Sequence, residues 1–145
     1  MERLAEKAPI FADDWEHDAR EHLSAALTLG RARQWAVAYI EAGIAVECAL
    51  KYRIMLTRKL GRWPDREQAR ELWTHDLALL LEQSGLRNSI ELEVSGRRTL
   101  GVAWLIAKDW DINSRYGTRN FPQRLGRDML WAVDTAGLVR WILGR

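Results

Sequence analysis

The chain has 145 residues, 22 Lys and Arg against 20 Asp and Glu, and 48% apolar residues, enough for one domain with a sizeable core. A net charge of +2 excludes a strongly basic or acidic partner surface spread over the whole molecule. The opening Met-Glu-Arg-Leu-Ala-Glu-Lys has no apolar core of a signal peptide, and no run approaches the roughly 18 apolar residues of a membrane span, so a cytoplasmic protein with no membrane contact is expected. The single Cys48 lies inside an apolar run and reads as a small buried hydrophobe.

Charge is divided unevenly along the chain. From Arg97 onward nine basic residues face four Asp, whereas the preceding residues hold 13 basic and 16 acidic side chains. The imbalance favours an anionic partner at the C-terminal half. Only three Pro occur. Long segments therefore carry no helix breaker, and an all-α bundle is expected.

In chain order, residues 1–12 read as a loose N-terminal arm. Asp13 or Asp14 can cap a first helix running to about Leu29 and stopped by Gly30, with an inner face of Trp15, Ala19, His22 or Leu23, Ala26 and Leu29. His17 and His22 are five apart, poor spacing for two metal ligands on one helix, and no metal or cofactor is expected.

A second helix from Arg31 or Ala32 to about Leu60 contains the stretch that organises the chain, Tyr39 to Lys51. Tyr39, Gly43, Val46, Leu50 and Ile54 recur at helical spacing. Ala42, Gly43, Ala45 and Ala49 lack bulk, so another helix can approach closely. Besides Glu41, Glu47 is the exception: it sits inside the run Ala-Val-Glu-Cys-Ala-Leu, where a carboxylate requires a partner. Lys51, one turn on, can form a surface pair with it; alternatively Glu47 accepts hydrogen bonds from a basic group elsewhere in the fold.

Gly61 and Arg62-Trp63-Pro64 end this helix, and a short helix follows from Asp65 to about Trp73. Thr74 is a candidate N-cap for the next, whose buried side is Leu77, Leu80 and Leu81 and which Ser84-Gly85 closes. Asn88 with Glu91 fits a capping box. A further helix carries Leu100, Trp104 and Ala107 toward Trp110. Residues 111–122 form the one long loop, and a last helix spans about Pro122 to Leu143. Trp35, Trp104, Trp131 and Trp141 suit buried faces, and Trp63 suits the turn.

The amphipathic first helix, the Tyr39–Lys51 stretch with Glu47 and Leu50-Lys51, the Thr74-His75-Asp76-Leu77 segment, Arg115-Tyr116 in the late loop and the closing helix occur in one order. In that order they resemble the HEPN-domain superfamily. The resemblance covers nearly the whole chain and implies an antiparallel bundle of four to five main helices plus short ones, forming a single domain over 1–145. It further implies a homodimer and a role in prokaryotic toxin–antitoxin, antiphage-defence or RNA-processing systems. Members of that superfamily are either metal-independent ribonucleases or non-catalytic partner modules, often of nucleotidyltransferases.

Active members carry an Arg, four to six residues, then a His, and Arg70-Glu-Leu-Trp-Thr-His75 matches that spacing. RNA supplies its own 2′-hydroxyl nucleophile, so a site needs a proton acceptor and a cation for the phosphate. His75 would be the acceptor and Arg70 the clamp. Glu71, directly after Arg70, opposes phosphate approach. In the alternative, His75 caps its helix or hydrogen-bonds Glu47. Arg115, Tyr116, Arg119 and Arg124 form the candidate RNA-binding set, arginines holding phosphates and a ring stacking on bases. Structurally, Arg115 could instead partner Glu47, and Tyr116 could pack against the bundle.

Overall fold

The computed structural model describes residue 9 and residues 11–144. Among them it is all-helical, with no strand. The α-helices are α1 (Ala12–Arg31), α2 (Trp35–Thr57), α3 (Leu77–Ser84), α4 (Arg87–Ser95), α5 (Thr99–Ala107), α6 (Gln123–Leu130) and α7 (Leu138–Leu143). None is long and apolar enough to cross a membrane.

α1 and α2 form an antiparallel hairpin. Arg33, in the left-handed region at φ 60°, makes the turn between them. His22 meets Glu41 across the pair, and Trp15 reaches Lys51 further along. The turn splits what spacing alone reads as a helix from residue 31 or 32. At the other end α2 stops at Thr57, where Lys59 adopts φ 55°, so Gly61 is not the stop. α1 likewise runs one residue past Gly30, which is buried beside Leu130 and Trp35. Its start is capped from inside: the Asp14 carboxylate accepts from the Phe11 amide at 2.9 Å. The expected arm over 1–12 lies mostly outside the described residues.

α2 is the axis of the molecule. Small residues and alternating bulk leave it buried nearly all round, from Ala38 to Met55, and helices α1, α3, α6 and α7 pack on it. Its buried side chains join those of the other helices in one contiguous core. Cys48 is among them. Burial, then the nearby Glu47 charge, pushes its thiol up to about 12.

The close approach anticipated at Gly43 is made by an indole rather than a helix. Trp110, just beyond α5, lies against the Gly43 backbone and donates its Nε1–H to the Tyr39 carbonyl at 3.1 Å. A Cβ at Gly43 would sit 1.9 to 2.2 Å from the Trp110 ring, so only glycine fits.

Other local expectations change. The 65–73 segment forms no α-helix, only a turn at 66–68 and a 3₁₀ turn, Arg70–Leu72, and Trp73 Nε1 bonds back to the Pro64 carbonyl. Asp76, not Thr74, is the N-cap of α3: its carboxylate accepts from the Leu79 amide at 3.1 Å, while the Thr74 hydroxyl accepts from the Asp76 amide. Gly85 closes that helix at φ 80°. Glu91 pairs with Arg87 instead of boxing Asn88. The last helix is three pieces, because Trp131–Thr135 winds as a π turn and the chain then bends at Gly137. Of the tryptophans, Trp15, Trp63, Trp104 and Trp110 are buried, whereas Trp35, Trp131 and Trp141 are half-buried.

Two outcomes test this packing. Gly43→Ala destabilises the protein by about 1–3 kcal/mol in urea unfolding, the usual range for overpacking a core; an unchanged midpoint contradicts the Trp110 contact. Cys48, as a thiol with its pKa near 12, resists alkylation at pH 8 and reacts at the ordinary free-thiol rate only once urea unfolds the chain. The same shift means that the folded state loses stability as pH rises above the unfolded thiol value of about 8.5.

Candidate functional site

Burying Glu47 in the middle of α2 creates a demand that two separate segments meet. Its carboxylate is only 8% exposed, and Lys51, one turn on, is 7% exposed. Lys51 Nζ donates to Oε2 at 3.0 Å. Oε1 lies 2.7 Å from His75 Nδ1. The pair is therefore not a surface bridge, and the basic group from elsewhere is His75 rather than Arg115.

Among the described residues the ammonium has no other charged partner but two aromatic ones. Lys51 Nζ is 4.9 Å from the Trp15 ring centroid and 5.6 Å from that of Trp63. Those rings meet edge to face at 5.1 Å. Trp63 thus plugs the turn as its position suggests, and the cation–π contacts hold Lys51 where Glu47 can use it.

His75 differs from its partners in exposure: 57% of its side chain faces solvent. A carboxylate only accepts hydrogen bonds, so the ring presents Nδ1–H to Glu47. In the neutral ring this leaves the Nε2 lone pair as the available acceptor. The ring opens on a hollow of about 390 Å³ lined by Thr74, His75, Asp76 and by residues 108–112. Trp110 provides the aromatic wall, and Lys108 donates to Asp109 at 3.1 Å. Asp76 and Asp111 spend one oxygen each on backbone amides, those of Leu79 and Asn113. Three aspartates around one paired lysine make the hollow acidic.

Arg70 is exposed and does not line this hollow, and no hydrogen bond joins it to His75. The two are separated by the 3₁₀ turn and Trp73. The candidate RNA-binding residues are elsewhere. Arg115 sits 4.9 Å over the Tyr116 ring, and Tyr116 is 67% exposed, so that ring does not pack into the bundle. Arg119 and Arg124 are exposed. Among the described residues no group of three or more His, Cys, Asp and Glu is placed to hold a metal.

Sequence reasoning missed the other residues of the hollow, Lys108, Asp109, Trp110 and Asp111. Their signal was Gly43 itself, a gap in α2 that an aromatic had to fill. A chemical consequence follows from the buried pair. Glu47→Gln leaves the Lys51 ammonium buried without its counter-charge and lowers stability by about 3–5 kcal/mol, whereas Glu47→Leu with Lys51→Met is close to neutral. Equal losses from the single and double changes contradict the pairing. No protein-family model matches this chain, and no curated protein or solved structure is found to be similar to it.

Proposed function

We propose that this chain is a HEPN-like protein that binds and cleaves RNA, without a metal, in a prokaryotic defence or toxin–antitoxin setting. The observation that carries the reading is the His75 ring, anchored at Nδ1 by a buried carboxylate and open at its other edge. That arrangement suits a proton acceptor: Glu47 fixes ring orientation and tautomer, and Nε2 can take the proton of a 2′-hydroxyl presented in the hollow. Arg70 would supply the phosphate clamp, from a second copy in a dimeric cleft, since it does not line the hollow beside its own His75.

One observation favours a second reading, a non-catalytic module that dimerises or binds a partner such as a nucleotidyltransferase. Asp76, Asp109 and Asp111 line the same hollow and repel phosphate.

Incubating labelled single-stranded RNA with the protein and chelator separates the two. The catalytic reading predicts cleavage that falls about 10²–10⁴-fold in His75→Ala, the range for a general base, and falls also in Arg70→Ala. Cleavage that survives both changes excludes this pair, and intact RNA with wild-type protein favours the module. A light-scattering mass of one chain argues against the shared cleft.

A further inference from the structure

A second concavity lies at the N-terminal end of α2, and its chemistry is the reverse of the first. Where the α1–α2 turn meets the segment before α6, a hollow of about 270 Å³ is lined by Arg33, Gln34, Trp35, Thr118, Phe121 and Gln123, among others, none of them acidic. The two stretches that build it are acid-free: residues 22–40 contain Arg31 and Arg33, and residues 112–127 contain Arg115, Arg119, Arg124 and Arg127, with no Asp or Glu in either. Folding brings them together, with Arg127 5.2 Å over the Trp35 ring. α2 starts here without a side-chain cap or an acidic residue in its first turn.

Aromatic surface accompanies the charge. Phe121 leans on Tyr39 at 5.2 Å and is half-buried, and Tyr116 is exposed nearby in the chain. Arginines that hold phosphates, interleaved with rings that can stack on unpaired bases, form the combination that single-stranded nucleic acids require. None of the six arginines has a carboxylate within salt-bridge distance among the described residues, whereas Arg20, Arg87, Arg98 and Arg140 each do.

We infer that this hollow is a cradle for the sugar–phosphate backbone of single-stranded RNA, an inference that rests on the RNA reading above and gives it a binding surface. The cradle and His75 are connected through the core. Trp110 lines the His75 hollow and bonds Tyr39, and Tyr39 carries Phe121. From Trp35 to Glu47 is about 18 Å along the helix at 1.5 Å per residue. The basic surface supplies the affinity that the acidic hollow lacks.

The test uses the full chain and a fluorescein-labelled oligouridine of about 16 nucleotides, a length that covers one single-strand binding site. Anisotropy is read between about 50 and 200 mM salt, and strand integrity is checked on the same samples. Wild-type protein binds with a steep salt dependence. Arg119→Glu with Arg124→Glu, both exposed, weakens binding at least about tenfold and flattens the log–log salt slope by about 1.4, two contacts at about 0.7 each. Arg62→Glu with Arg97→Glu, the same charge change on other surfaces, stays within about twofold of wild type. Equal weakening by both double variants, or no binding by wild type, overturns the cradle. Binding with the RNA left intact keeps the cradle and removes the His75 reaction instead.

Discussion

One buried carboxylate sets the arrangement of this molecule. Glu47 sits among alanines, Val46 and Cys48 on a helix wrapped by others, where a charge without partners would cost several kcal/mol. Both of its oxygens are engaged, one by Lys51 of the same helix and one by His75 of a distant segment. The first contact is local and follows from spacing of one turn. The second is not, and it ties the segment after the 3₁₀ turn to the molecular axis. Trp15 and Trp63 close over the ammonium, so the polar pair is roofed by aromatic surface rather than water.

The remaining attachments along α2 follow from its small residues. Gly43 admits the Trp110 indole flat against the backbone, and that indole returns a hydrogen bond to Tyr39. Tyr39 in turn supports Phe121, and Trp35 begins the helix under Arg127. Going back from Glu47 to Trp35, the helix carries first an acidic hollow with an imidazole in it and then a basic, aromatic one. The two concavities share an axis but oppose each other in charge. A polyanion is attracted to one and repelled by the other.

Much of this was legible before any coordinates. Few prolines and a 3.6-residue apolar period give an all-helical chain, and Glu47, a carboxylate inside the apolar run of α2, announces a need for a basic partner. Cys48 reads as core and is core. What the sequence could not supply was tertiary: spacing offers Lys51, His75 or Arg115 to Glu47 and cannot choose among them. Nor does it say that the gap at Gly43 takes an indole from the far side of α5. Local competition explains the rest. Asp76 outcompetes Thr74 as a cap because its carboxylate reaches the Leu79 amide, and a Trp73–Pro64 bond spans residues that propensity reads as helix. Left-handed Arg33, Lys59 and Arg97 mark three helix ends, each within three residues of a glycine, Gly30, Gly61 and Gly96, that does not itself make the left-handed turn.

Everything proposed about chemistry depends on the ring of His75 being held by Glu47 with its outer nitrogen free. Long-range nitrogen–proton NMR of the imidazole reads that state directly. The neutral ring is predicted in the Nδ1–H form in the wild-type protein, the reverse of the preference of a free histidine, and it reverts when Glu47→Leu with Lys51→Met removes the accepting oxygen. A wild-type ring found in the Nε2–H form, or one whose tautomer ignores Glu47, would contradict the account.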